Sequence, residues 1–223
     1  MSVTRLRPPR TLGRLACALL VLVAVTDLLA VGAGYHVYRE AGDLAAGTGI
    51  GATPSPRAAR ADHLYAAAGV LQTVVWLVCA VVFLVWLYRV RVNAEVFRPD
   101  GHSKARAWVI AGWVVPLANF WFPRRVVLDV WDSSGPLGAP PRHALVNLWW
   151  ALWLVSTGLG PLMADLYDSA VTAPEFRNAA LQVMAADAVD IVAAVLAARL
   201  VLRLTRMQQE RILAGPVFVP ALG

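Results

Sequence analysis

Asp27, Asp187 and Asp190 fall inside apolar runs long enough to cross a bilayer. An ionised Asp at the centre of a membrane helix costs about 2.5 to 3.5 kcal/mol on insertion scales, so each of these carboxylates needs an explanation. Asp187 and Asp190 are three residues apart and share a helix face. Such a group of carboxylates could bind a proton or a cation, with at least one carboxyl protonated, because like charges at close range do not all ionise. The plainer alternative is that they are neutral, bonded to Thr26, Gln182 or backbone, or reached by water near the outer rim.

The elements that must position them are apolar runs at 15–37, 64–88, 107–123, 144–164 and 179–201. Three of these, 64–88, 107–123 and 144–164, contain no Asp, Glu, Lys or Arg. The chain has 223 residues, 59% of them apolar and 15% charged, with a mean hydropathy of +0.60. A spanning helix takes about 20 residues, so four or five spans with short loops leave little for a soluble catalytic domain. An all-α integral membrane protein is expected.

Charge placement sets the direction of the spans. A basic stretch at 1–14, with Arg5, Arg7, Arg10 and Arg14, precedes the first run at 15–37. That pattern also fits a signal peptide, with Gly32 or Gly34 near a cleavage point; the length of the run and the poor small-residue site favour an uncleaved anchor. Residues 38–63 are rich in Ala, Gly and Pro and read as an extracytoplasmic flexible linker, disordered in its middle. The cluster Arg89, Arg91, Arg98, Lys104 and Arg106 follows the second run and is expected in the cytoplasm.

Run 107–123 decides the topology. If it crosses, Arg124, Arg125 and Arg142 fall outside, the acidic loop 165–177 falls inside, and the basic tail ends outside. If it re-enters or lies in the interface, all three placements obey the positive-inside tendency, and only Arg39, Arg57, Arg60 and Arg177 face outward. The expected architecture is therefore a four-transmembrane-helix bundle with a broken re-entrant or interfacial helical hairpin at 107–132, between the second and third spans. The membrane domain runs over 64–204 and a tail over 205–223, with both termini cytoplasmic at the plasma membrane. Pro116 removes a backbone donor and pushes Val115 from helical angles, while Pro123 suits the start of a second helix. In that second helix Arg124, Arg125, Asp129 and Asp132 share one face, and Val126, Val127, Val130 and Trp131 the other. It is expected to lie along the cytoplasmic surface, within a belt formed by Trp86, Trp108, Trp113, Trp121, Trp131, Trp149 and Trp150. At ~1.5 Å rise per residue, Asp27 lies ~18 Å from the cytoplasmic start of its helix and Asp187 ~12 Å from the opposite end of the last. In a ~30 Å core these depths coincide, so the three carboxylates should meet in the outer half of the bundle.

Trp86, Arg89 and Asn93 at the end of a span, then Gly112, Trp113, Pro116, Asn119 and Pro123, a helix closing on Trp131, and a pair at Trp149 and Trp150 form a recognisable pattern. The chain resembles an actinobacterial family of multi-pass membrane proteins catalogued as a domain of unknown function, over about residues 65–204, with a Gly-Trp-x-x-Pro-x-x-Asn core. The resemblance implies a membrane location and a helical bundle; it implies no activity, ligand or catalytic residue. The link Ser103-Lys104-Ala105-Arg106 departs from relatives that carry a Pro there.

The remaining candidates are basic. Arg91, Arg106, Arg124 and Arg125, with Arg89 and Arg98, are expected to form a cytoplasmic surface for anionic lipid headgroups or an acidic partner, or simply to fix topology; Arg89 could equally snorkel. Asn93 and Asn119 read as caps of interrupted helices. Nucleic acid is not an expected partner, since no basic stretch is interleaved with exposed aromatics on a soluble scaffold. Cys17 and Cys79 read as small packing residues. His36, His63, His102 and His143 are scattered, and no phosphate loop, His-Glu-x-x-His, Cys-x-x-Cys or Gly-x-Ser-x-Gly occurs, so no cofactor, metal or catalytic residue is expected. The expected role is a non-enzymatic membrane component that contacts the lipid bilayer and other membrane proteins or copies of itself. The alternative is a small proton- or cation-coupled transporter or channel using the three Asp; an enzyme acting on lipid ranks third.

Overall fold

The computed structural model describes residues 6–46, 56–136 and 142–214. All regular elements among them are helical: α1 (Arg10–Ala45), α2 (Pro56–Phe97), α3 (Trp108–Val114), a single 3-10 turn (Ala118–Phe120), α4 (Phe122–Ser134), α5 (Ala144–Asp168) and α6 (Ala173–Ala214). Three stretches are long and apolar enough to cross a membrane, Arg10–Ala45, Ala59–Phe97 and Ala144–Asp168. The fourth expected span, 179–201, lies within α6, which is not one of these three.

Local chemistry explains where the elements start and stop. At the head of α6, Glu175 Oε2 accepts hydrogen bonds from the backbone N–H of Val171 and Thr172, at 2.8 and 2.9 Å. This is the reciprocal half of a Thr-x-x-Glu capping box, and the backbone donors hold the Glu175 carboxyl below its ordinary range. Between α3 and α4 the chain breaks as Pro116 requires: Val115 takes extended angles (φ −72°, ψ 120°). Leu117 follows at φ 65°, the one non-glycine residue with positive φ among those described. Pro123 sits in the first turn of α4.

The expectation of a flexible linker needs correction. Residues 38–63 are helical over much of what is described, because α1 continues to Ala45 and α2 starts at Pro56. The alanines that resemble linker composition also favour helix and allow close approach. Val37, Ala61 and Ala180 form a buried cluster that Tyr38, Tyr65 and Tyr167 pack against. The middle of the predicted linker, 47–55, lies outside the described residues. The expected tail from 205 is likewise helical as far as Ala214, with Gln208 and Gln209 buried; 215–223 lie outside the described residues.

The chain divides into two compact units. Unit 1 comprises Met1–Cys17, Ala80–Asn147 and Ala198–Gly223; unit 2 comprises Ala18–Cys79 and Leu148–Ala197. Unit 2 packs through small side chains, with Ala30, Ala41, Ala61, Ala179, Ala180, Ala186, Ala193 and Ala194 buried. Many of its large apolar side chains point outward, as with Leu28 (63% exposed) and Val70 (66%), while Val37, Val75, Trp149 and Trp150 are buried. Unit 1 has a core of larger groups, with Trp86, Leu87, Val127, Val130, Leu200 and Leu204 fully or nearly fully buried.

Candidate functional site

In unit 2, four helices bring the predicted carboxylates together with two polar residues that the charge search passed over. Gln72 of α2 donates through Nε2 to Asp27 Oδ1 of α1 at 2.9 Å and to Asp187 Oδ1 of α6 at 3.1 Å. A side-chain amide carries two N–H groups, so a single Gln serves both carboxyls at once. The Ser156 hydroxyl of α5 donates to Asp190 Oδ1. The partners named from the sequence are not the ones used: Thr26 donates its hydroxyl to the Val23 carbonyl at 2.8 Å, and Gln182 is exposed. Asp27 is 3% exposed, and its Oδ2 and that of Asp187 are buried with no hydrogen-bond partner among the described residues. No group of three His, Cys, Asp or Glu among the described residues is placed to hold a metal ion, these three Asp included.

Unit 1 holds the family-motif residues from Trp86 to Trp131 and the arginines proposed for lipid contact. Trp86, fully buried, donates through its indole N–H to Thr205 Oγ1 at 3.0 Å. Gly13 lies against the same threonine: a Cβ at Gly13 would stand 2.5 Å from Thr205 Oγ1. Gly112 allows α3 to approach α4, since a Cβ there would meet Phe122 Cβ at 3.3 Å and Pro123 at 3.6 Å. Trp113 packs edge-on against Phe83, with ring centroids 5.9 Å apart. Trp131 is buried under the Arg203 guanidinium, 5.3 Å from its ring centroid.

Asn93 is not a cap. It sits inside α2 and bridges elements, accepting from Arg7 N–H (3.2 Å) and donating to Arg7 O (2.9 Å) and Gln208 Oε1 (3.0 Å). Gln208, fully buried, passes its own N–H groups to Val90 O at 2.7 Å and Ser134 Oγ at 3.0 Å. Asn119 caps nothing either: it lies in the 3-10 turn, whose ends carry no side-chain cap, and its Oδ1 is buried without a partner among the described residues.

Each of the four arginines assigned to lipid has a partner within the protein, although Arg106 and Arg125 stay exposed. Arg91 is 3% exposed; it pairs with Glu95 and donates to Lys104 O at 2.8 Å. Arg106 pairs with the other carboxylate oxygen of Glu95. Arg124 donates twice to Asn147 Oδ1, at 3.1 and 2.7 Å. Arg125 reaches Asp129 at 3.3 Å and Ser103 Oγ at 3.1 Å. Burial pushes the Glu95 carboxyl up, but the Arg106 hydrogen bond and the charges of Arg91 and Arg106 outweigh it and hold the group below the ordinary carboxylate range. His102 is held below its usual value by burial first and the Arg91 charge second. Arg89, the other arginine of the motif, is half-buried.

α4 keeps the two faces its pattern suggests, with one departure on the polar side. Val126, Val127, Val130 and Trp131 are buried as expected, with Ser133 and Ser134 beside them, yet so are Leu128 and Asp129 off that face. Asp129 is buried because its Oδ2 accepts from both the backbone N–H and hydroxyl of Ser103, at 2.8 and 2.7 Å, while Arg125 on the same face stays exposed. The tryptophan belt is corrected in part. Trp86, Trp131, Trp149 and Trp150 are buried within their units, while Trp121 is exposed.

The family described as "Domain of unknown function (DUF4328)" matches residues 51–206. The chain belongs to this family. No curated protein and no solved structure matches the chain. The DUF4328 match covers the whole α3–α4 hairpin, Gln72, Ser156, Asp187 and Asp190, but stops before Gln208 and starts after Asp27. The carboxylate site therefore takes one of its three acids from outside the family region.

Proposed function

We propose that this DUF4328 protein is a multi-pass membrane protein of four spans, α1, α2, α5 and α6, whose α3–α4 hairpin does not cross, with both termini in the cytoplasm. Its role is non-enzymatic: it contacts lipid and other membrane proteins, further copies of itself included. The observation that supports this most is the inverted sorting of unit 2, which turns Leu28, Val70, Leu71, Val74 and Leu162 outward while its carboxyls face in. Water would disfavour that arrangement and a bilayer favours it. The hairpin reading is supported by length: α3 has seven residues, about 10 Å of helix against a hydrocarbon core of about 30 Å. Transport through Asp27, Asp187 and Asp190 has no support beyond the carboxyls themselves.

Topology is tested with a single Cys at the exposed Arg142 in a background with Cys17 and Cys79 replaced by Ala. An impermeant maleimide should label it only after the cells are permeabilised; labelling of intact cells would mean that α3 crosses and that there are five spans. For the role, the protein is extracted in native lipid discs and its retained lipids and proteins are identified by mass spectrometry. Retention no different from an unrelated membrane protein of similar size would end the interaction reading.

A further inference from the structure

Arg91, Arg106, Arg124 and Arg125 each already have a partner within unit 1, although Arg106 and Arg125 stay exposed, and the basic groups facing outward in this unit also include a row on α6. Arg199, Arg203 and Arg206 follow one another at four and three residues, so they line one stripe of the helix. They border a cavity of about 690 Å³. Its apolar wall is Leu145, Leu202 and Met207, and its one acidic member is Glu210. Glu210 is already held by Arg206 at 2.8 Å. No carboxylate among the described residues pairs with Arg199 or Arg203, so the cavity carries uncompensated positive charge. Arg203 is steadied over the Trp131 ring, a contact that orients the guanidinium without neutralising it.

We propose that this cavity binds an anionic phospholipid, with Arg199 and Arg203 on the phosphate and Leu145, Leu202 and Met207 against the glycerol and upper acyl chains. The inference rests on the membrane reading above. Position argues for it: the apolar run 179–201 ends within this row, which places the guanidinium groups where the hydrocarbon gives way to headgroups. Chemistry argues for it too. A guanidinium presents paired N–H donors that match phosphate oxygens, and the outward-facing Leu202, 55% exposed, offers the chain-side contact that a soluble phosphate would not use.

The test is native mass spectrometry of the full chain in detergent with added phosphatidylglycerol or phosphatidylcholine. Wild type should bind phosphatidylglycerol at least about ten-fold more tightly, and R199Q/R203Q should lose about ten-fold of that affinity while leaving phosphatidylcholine unchanged, since each arginine near the headgroups contributes on this scale. R39Q, an exposed arginine of unit 2, should change nothing. R199K/R203K, which keeps the charge, should recover most of the preference, and an unchanged melting transition in every variant excludes a folding cause. Equal phosphatidylglycerol binding by wild type and R199Q/R203Q overturns the site, as does displacement of the lipid by millimolar glycerol 3-phosphate, which would mark a soluble phosphate ligand. Extraction of the chain from membranes by alkaline carbonate would instead defeat the membrane reading.

Discussion

The two units solve the same problem, holding helices together, with different chemistry. Unit 1 is crosslinked by polar side chains: Trp86 to Thr205, Asn93 to Arg7 and Gln208, Gln208 to Val90 and Ser134, Arg91 and Arg106 to Glu95, Ser103 to Asp129. Unit 2 relies on buried alanines and on a short set of polar bonds centred on Gln72 and Ser156. The difference follows from what surrounds each unit in the proposed topology. Between helices in lipid the hydrophobic effect supplies no drive, so small residues that allow close backbone contact dominate, and polar bonds average only about 0.6 kcal/mol. Where water competes, buried polar groups must be fully paired or they are costly, and the network in unit 1 pairs most of them.

The largest effect that would test this contrast is expected at Glu95, which balances Arg91 (3% exposed) and Arg106. Glu95→Leu leaves the buried guanidinium with the Lys104 carbonyl as its hydrogen-bond partner among the described residues and should cost about 3 kcal/mol, read as the loss of unfolding free energy in mixed micelles. The pH dependence has a definite sign. The folded carboxyl titrates below its ordinary value, so its contribution is fully present above the unfolded pKa of about 4.3 and is lost as pH falls through the lower folded pKa. Stability should thus hold from pH 7 to about 5 and fall below about 4, and Glu95→Gln should flatten that acid limb. An acid limb identical in wild type and Glu95→Gln would remove Glu95 from the account.

Next in size is Gln208. Replacing it with Leu strips partners from Asn93, Val90 O and Ser134 in a fully buried place, and should cost about 2 kcal/mol. A loss under about 0.5 kcal/mol, within the range of ordinary surface changes, would mean that the network of unit 1 is not what holds it.

How far the sequence reveals these features depends on their range. The break at Val115–Pro116 is legible because it is a local steric fact, and the structure shows it at Val115 and Leu117. The meeting of Asp27 with Asp187 is legible through depth, since the rise of a helix is fixed. Gln72 is not, although it stands out as a polar residue inside a charge-free run: depth says how far along a helix a group lies, not which neighbour it faces. Most of the arginines' partners are hidden for a related reason. Glu95, four residues after Arg91, is visible as a partner, but Asn147 for Arg124 and Ser103 for Arg125 lie more than twenty positions away and are found only by folding the chain. The burial of Asp129 in α4 is hidden in the same way, because its partner Ser103 is distant in the sequence.

The smallest effects belong to unit 2, and they decide whether the contrast holds. Gln72→Leu removes the donor shared by Asp27 and Asp187, yet in a lipid-surrounded bundle it should cost only about 0.6 to 1.7 kcal/mol, less than Gln208→Leu under the same assay. A larger cost than Gln208→Leu would reverse the ranking and make the carboxylate site the stronger clamp. Asp187→Asn is gentler still. The Asn carbonyl can accept the same Gln72 hydrogen bond, and the change exchanges a costly buried carboxyl for a neutral amide, so stability should be unchanged or slightly raised. The same variant separates packing from transport: in liposomes, wild type and Asp187→Asn should both sit at background proton leak. A wild-type flux that disappears on Asp187→Asn would turn these carboxyls from a structural joint into a working site.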